Sequence, residues 1–152
     1  MFGNFLSRLT APDPAPLDDG EARLALAALL VRLARADGDY AAVEITQIDR
    51  ILSERFGLSP FESGALRVEA EALEAEAPDT VRFTRAIKDA VPHDDRLAVV
   101  EAMWRVVLAD GERDDLEDSN MRVIANLLGI TDRESAQARQ QANQSQGQAA
   151  AV

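Results

Sequence analysis

The chain has 152 residues, of which 47% are apolar, and this length and composition fit a single domain with one hydrophobic core. Its 27 Asp and Glu outnumber 16 Lys and Arg and give a net charge of −11. This charge argues against a nucleic-acid partner, because it repels phosphate backbones. Cysteine is absent, which excludes disulfides, thiolate zinc sites and thiol nucleophiles. The single histidine, His93, excludes a metal site built from several histidines.

Membrane segments and strands are both disfavoured by the sequence. No apolar run approaches the roughly 18 residues of a membrane-spanning helix, and the N-terminus lacks the basic start of a signal peptide. We therefore expect a cytoplasmic protein. Ala, Leu, Glu and Arg dominate while aromatic residues make up 5%, a composition that favours helices. The expected fold class is all-α.

Three regions follow one another along the chain. Residues 1–17 comprise a short amphipathic segment, with apolar residues at helical spacing, and the Pro-rich linker APDPAP. Residues 18–142 form the helical domain, and residues 143–152 are an uncharged tail that we expect to be disordered. Because Arg8 is the only basic residue of the first segment, membrane attachment should be weak. We expect that segment to pack on its own domain or on a neighbouring copy.

Local start and stop signals predict seven helices in the domain, at about 21–36, 41–56, 60–77, 79–90, 94–109, 114–128 and 132–142. The first and fifth of these are apolar nearly all round, which predicts that they lie at the centre of a bundle. The helix at 79–90 should bury Val81, Phe83 and Ile87. Gly57 and Gly129 each end a helix, and capping boxes begin at Asp18, Ser59 and Thr131.

Two halves of the chain resemble each other. Residues 36–44 read ADGDYAAVE and residues 109–117 read ADGERDDLE, at an offset of 73 residues. After a one-residue gap the capping box Ser59 to Glu62 aligns with Thr131 to Glu134. We infer a bundle of about seven to eight helices built from two pseudo-repeated helical hairpins, with the two apolar helices side by side.

The shared motif D-G-[DE]-x4-E has two interpretations. In the first, Gly38 and Gly111 stop a helix, and the acids that follow cap the next one; Asp114 and Glu117 have capping-box spacing, although the matching Ala41 cannot cap. In the second, each motif gathers three carboxylates around a hard divalent cation, Ca²⁺, Mg²⁺ or Mn²⁺. The candidate ligands are Asp37, Asp39, Glu44, Asp110, Glu112 and Glu117.

The doubled motif, at the ends of apolar helices in an all-α domain, resembles the tellurite-resistance TerB family, which is related to the N-terminal domain of the DjlA co-chaperone. The resemblance covers about residues 18–142 and implies an all-helical bundle whose motif acids bind a metal ion. It also implies a scaffold role in tellurite and other chemical stress responses, without enzymatic activity. No His-Pro-Asp occurs, so a J-domain signature is absent.

Other candidate residues have simpler roles. His93 is expected at the surface in the first turn of a helix, and Met103 and Trp104 in the core. The acidic run from Glu69 to Asp79 is expected to be a solvated face that can attract a basic partner. The main alternative to a cation-binding scaffold is a protein–protein interaction module with structural acids. A metal-dependent hydrolase is the weakest hypothesis, because no separate base or nucleophile is apparent.

Overall fold

The computed structural model describes residues 2–11, 17–35, 40, 42–108 and 115–151, without the side chains of 115–118 and 145–151. These residues form eight helices and no strand, which confirms the predicted all-α class. The helices are α1 (Gly3–Leu9), α2 (Asp19–Arg35), α3 (Ala42–Phe56), α4 (Pro60–Glu76), α5 (Thr80–Ala90), α6 (His93–Leu108), α7 (Asp115–Leu127) and α8 (Asp132–Ala151).

Helices α2 and α6 lie at the centre of the bundle and contact each other. Every residue from Ala25 to Val31 of α2 is buried, so all faces of that helix are covered along two turns. Helix α6 is buried in the same way from Val99 to Val107, except at Glu101 and Arg105. A helix with apolar residues on every side is stable only where neighbouring helices exclude water from it.

The bundle consists of two three-helix units, α2–α3–α4 and α6–α7–α8, with α5 between them. In each unit the third helix packs most extensively on the first, so that α4 covers α2 and α8 covers α6. The internal similarity therefore extends from the predicted hairpin to a third helix. Helix α1 packs on α5, and its Phe5 and Leu9 belong to the same core as the rest of the domain.

The two units turn the same corner between their second and third helices. Gly57 and Gly129 have positive φ angles of 64° and 76°, a conformation that glycine adopts without strain. The N–H groups of Leu58 and Ile130 then donate to the carbonyls of Ser53 and Ala125 at 3.1 and 2.9 Å. These bonds are the helix-ending pattern expected at a left-handed glycine.

A capping box follows each corner. The backbone N–H of Glu62 donates to Ser59 Oγ at 3.2 Å, and the N–H of Ser59 donates to Glu62 Oε1 at 3.0 Å. Thr131 and Glu134 make the same two bonds at 3.1 and 3.0 Å. The predicted capping boxes are thus present at equivalent places in both units.

Three apolar residues lie outside the core. Val81 is 41% exposed, contrary to the prediction that it is buried, and Val123 and Phe61 are 51% and 86% exposed. Each lies two residues from a fully buried position of its own helix, and two residues correspond to about 200° of rotation. Since the buried stripe is fixed by Phe83 in α5, Val81 must face the opposite side.

Helix α8 also differs from its predicted bounds, because it continues to Ala151 instead of ending at Ala142. The expected disordered tail at 143–152 is therefore helical in the structure up to residue 151. Its Ala and Gln residues have high helix propensity and no Pro interrupts them, so nothing local stops the helix. Among the described residues, no helix is long and apolar enough to cross a bilayer.

The capping boxes predict a stability effect. Replacing Ser59 or Thr131 by Ala should lower the free energy of unfolding by about 1 kcal/mol each, because a helix N-terminus loses its side-chain acceptor. Urea denaturation measures both changes. Ser119→Ala, an exposed change inside α7, is the control and should shift stability by less than about 0.5 kcal/mol. Equal effects of all three substitutions would contradict a capping role.

The same bonds predict a pH dependence. The backbone N–H of Ser59 donates to the Glu62 carboxylate and lowers its pKa. The resulting stabilisation is complete above the ordinary carboxyl pKa and is lost as the pH falls through the lowered value. Glu62→Gln should therefore be less stable than the natural chain at pH 7, and the difference should shrink below about pH 4. Glu69→Gln, the control on the same helix, should keep a constant difference in urea denaturation across this range.

Candidate functional site

The structure describes the side chain of one of the six predicted carboxylates. Glu44 lies in the first turn of α3 and is 7% exposed. Glu117 lies in α7, but its side chain is outside the described part of the chain. The remaining candidates also lie outside the described residues; they are Asp37, Asp39, Asp110 and Glu112.

Glu44 is the one charged residue that is buried among those the structure describes. Removing a carboxylate from water is unfavourable unless a cation or hydrogen-bond donors compensate it. Capping by a preceding side chain does not explain the position, since the residue three before it is Ala41, which has no side-chain acceptor. The first motif thus has a carboxylate withdrawn from solvent at its last position.

Two arginines on the last turn of α2 bind a single carboxylate of α4. Arg32 Nε donates to Glu74 Oε1 at 2.9 Å, and Arg35 Nη1 donates to Glu74 Oε2 at 2.7 Å. Arg32 also donates to the backbone carbonyls of Glu74 and Pro78, at 3.0 and 2.6 Å. Because those carbonyls end α4, Arg32 fastens the C-terminus of α4 to the central helix immediately before the first motif.

A second charged group joins α3 to α4. Arg67 Nε donates to Asp49 Oδ1 at 2.6 Å, and Arg67 Nη1 donates to Glu71 Oε2 at 3.1 Å. The ring of Tyr40 lies 5.1 Å from the Arg35 guanidinium. Burial raises the pKa of the Tyr40 phenol, and the neighbouring Glu71 carboxylate raises it further. Tyr40 is therefore neutral at physiological pH and is a poor ligand for a hard cation.

These contacts correct part of the sequence interpretation. The run from Glu69 to Asp79 was expected to be a solvated face, but Glu71 and Glu74 are ion-paired and only partly exposed. Both glutamates are three residues apart, as are Arg32 and Arg35, and this matched helical spacing is the signal that could have revealed the pairs. Carboxylates held by arginines in this way are not available to a cation at the nearby motif.

The second unit has a different polar pattern. Trp104 is 7% exposed, as predicted for a core residue, and its Nε1–H donates to Ser135 Oγ at 3.1 Å. The Arg139 guanidinium lies 5.1 Å from the Trp104 ring, whereas Arg67, 72 residues earlier, binds two carboxylates. Arg122 and Arg139 line a cavity of about 480 Å³ beside the indole.

His93 lies at the start of α6, as predicted, and its side chain is 46% exposed. Its Nε2 is 3.1 Å from Glu134 Oε2, so the imidazole contacts a capping carboxylate. Within the described ranges, no group of three or more His, Cys, Asp or Glu side chains is arranged to hold a metal ion. Any site built from the acidic motifs therefore depends on residues outside those ranges.

The Arg32–Glu74 pair predicts a strong energetic coupling. Both side chains are less than 15% exposed, so replacing either partner leaves a poorly solvated charge. A double-mutant cycle with Arg32→Met and Glu74→Gln should give a coupling free energy of about 2 kcal/mol in urea denaturation. The exposed pair Arg55–Asp95, with atoms 3.9 Å apart, is the control and should give less than about 0.5 kcal/mol. A similar value for both pairs would contradict a fastening role for Arg32.

One comparison with known proteins returned a match. The sequence profile of the family described as "Tellurite resistance protein TerB" matches residues 23–140. This range contains both acidic motifs and α3 to α7 completely. No curated protein and no solved structure matches the chain. Because the matched range covers most of the sequence, the chain belongs to the TerB family.

Proposed function

We propose that this chain is a non-enzymatic TerB-family domain that binds a divalent cation through its two acidic motifs. The observation that carries the proposal is the burial of Glu44, the last carboxylate of the first motif. A buried carboxylate at the start of a helix is suited to a cation that lies beside the bundle, since Ca²⁺, Mg²⁺ and Mn²⁺ prefer oxygen ligands. The ligands are those of the motifs: Asp37, Asp39 and Glu44, and Asp110, Glu112 and Glu117.

The cellular role we propose is that of a scaffold in the response to tellurite and other chemical stress. The family description supports the link to tellurite. The rigid core supports the scaffold role, because a bundle with two fully covered central helices presents its surface without rearrangement. Both parts of the proposal concern this chain's use of the fold, which the fold alone does not determine.

The described polar residues support a role without catalysis. The imidazole of His93 contacts Glu134 at the surface. The buried hydroxyls of Ser63 and Ser135 bond to Ser53 and Trp104, so neither is paired with a base. General acid–base or nucleophilic catalysis needs such a pairing within hydrogen-bond reach of a substrate.

Cation binding is tested by thermal unfolding after chelation and with added Ca²⁺, Mg²⁺ or Mn²⁺. An ion at about 100 times its Kd should stabilise the natural chain by about 2.7 kcal/mol and raise Tm by several degrees. The double variant Asp37→Asn, Asp110→Asn should lose this response, because each motif lacks its first carboxylate.

The matched control is the double variant Asp94→Asn, Asp132→Asn. Both residues are exposed first-turn acids outside the motifs, and the net charge changes by the same amount. This control should keep the full response to the ion. If no ion raises Tm beyond the effect of ionic strength, or if both double variants lose the response equally, the motifs do not form a cation site.

A protein–protein interaction module with structural acids is the second candidate. The observation that favours it is the ion pairing of Glu71 and Glu74, which shows acids near the first motif fastening one helix to another. In that case the motif acids cap helices or face a partner. Unchanged Tm with every ion in the experiment above supports this alternative.

A further inference from the structure

Helix α4 exposes apolar residues on the side that faces away from the core. Of the large apolar side chains that the structure describes as exposed, the two most accessible are Phe61 at 86% and Val68 at 56%. Both belong to α4, whose opposite side contributes the buried residues Ser63, Ala70 and Leu73. One exposed apolar residue needs no explanation, but two on a single helix face call for a closer look at that face.

Five residues continue this face along the whole helix. Phe61, Val68 and three exposed alanines follow one another at intervals of four, three, four and three residues. At 3.6 residues per turn this spacing gives a straight stripe about 80° wide, as in the contact line of two packed helices. We call this stripe the α4 seam; it consists of Phe61, Ala65, Val68, Ala72 and Ala75.

One flank of the α4 seam is uniformly acidic. Glu62, Glu69 and Glu76 are exposed and lie seven residues apart, so they form a row beside the seam. The other flank has Gly64 and Glu71, and Glu71 is bound by Arg67. A helix that packs on the seam therefore meets three carboxylates along one side.

We propose that the α4 seam docks an amphipathic helix of a partner protein that carries Lys or Arg along the side facing Glu62, Glu69 and Glu76. The apolar stripe supplies the contact area, and the acidic row selects the charge and orientation of the partner. The small side chains of Ala65 and Ala72 allow the partner backbone to approach closely between Phe61 and Val68.

Charge excludes a second copy of this chain as the occupant. Two α4 helices packed antiparallel would place their acidic rows opposite each other, and a parallel pair would place them opposite Gly64 and Glu71. Neither arrangement gives an attractive charge pair, and like charges in register are unfavourable. The amphipathic helix α1 is also excluded, because its Phe5 and Leu9 are buried in the core at 9% and 1% exposure.

A peptide titration tests this docking surface. The probe is a labelled synthetic three-heptad helix with Leu at the seam positions and Lys at the flanking positions. It is titrated with the full chain in EDTA and followed by fluorescence anisotropy. EDTA makes the result independent of cation binding, so failure here leaves the cation proposal unaffected. We expect saturable binding of the Lys peptide, and no binding of the same peptide with Glu in place of Lys.

Two valine substitutions provide the matched comparison. Val68→Glu lies in the α4 seam and Val123→Glu in α7, and the two valines are 56% and 51% exposed. Both variants add one negative charge, so general attraction between an acidic chain and a basic peptide changes equally. Val68→Glu should weaken binding at least about tenfold, whereas Val123→Glu should change it less than about twofold. Glu69→Gln should weaken binding and reduce its salt dependence.

Circular dichroism checks that each variant folds, and Phe61→Ala repeats the test without a new charge. Equal effects of Val68→Glu and Val123→Glu would overturn the proposal, as would tight binding of the Glu peptide or no binding of the Lys peptide. A natural chain that sediments as a dimer, and as a monomer after Val68→Glu, would identify a second copy as the occupant and would also overturn it.

Discussion

The structure depends on the need to cover two helices that have no polar side. Every residue from Ala25 to Val31 is buried, and α6 has the same character from Val99 to Val107. Neither helix can be stable at a surface, because exposing any face would return apolar area to water. Contact between α2 and α6 covers one side of each, and α4 and α8 cover most of the rest. The paired three-helix units are a direct solution to this requirement.

The polar contacts are placed where the central helix leaves that cover. Arg32 and Arg35 lie on the last turn of α2 and reach α4, while Glu44 lies on the first turn of α3. The acidic motif lies between these two turns in sequence. Charged groups can be partly buried there because each has a partner of opposite charge or a backbone acceptor. The equivalent region of the second unit uses the neutral Trp104–Ser135 bond instead.

Much of the fold could be predicted because its signals are local. Pro60, Gly57 and the capping boxes define helix ends within a few residues, and the apolar character of α2 and α6 placed them at the centre. The end of α8 was missed because Ala and Gln continue a helix without a stop signal. The Arg32–Glu74 pair joins residues 42 positions apart, and a sequence gives no distance between them. Repetition revealed the motifs, but the burial of Glu44 required the three-dimensional packing.

The double hold of Arg32 and Arg35 on Glu74 has an evolutionary consequence. Two guanidinium groups one turn apart grip the same carboxylate, so the final turn of α2 is anchored to α4 and not to the sequence that follows it. The chain enters the first motif from a fixed point. Substitutions inside the motif can therefore alter its chemistry without moving its attachment, a separation of anchor from function that lets relatives diversify there while the bundle stays intact.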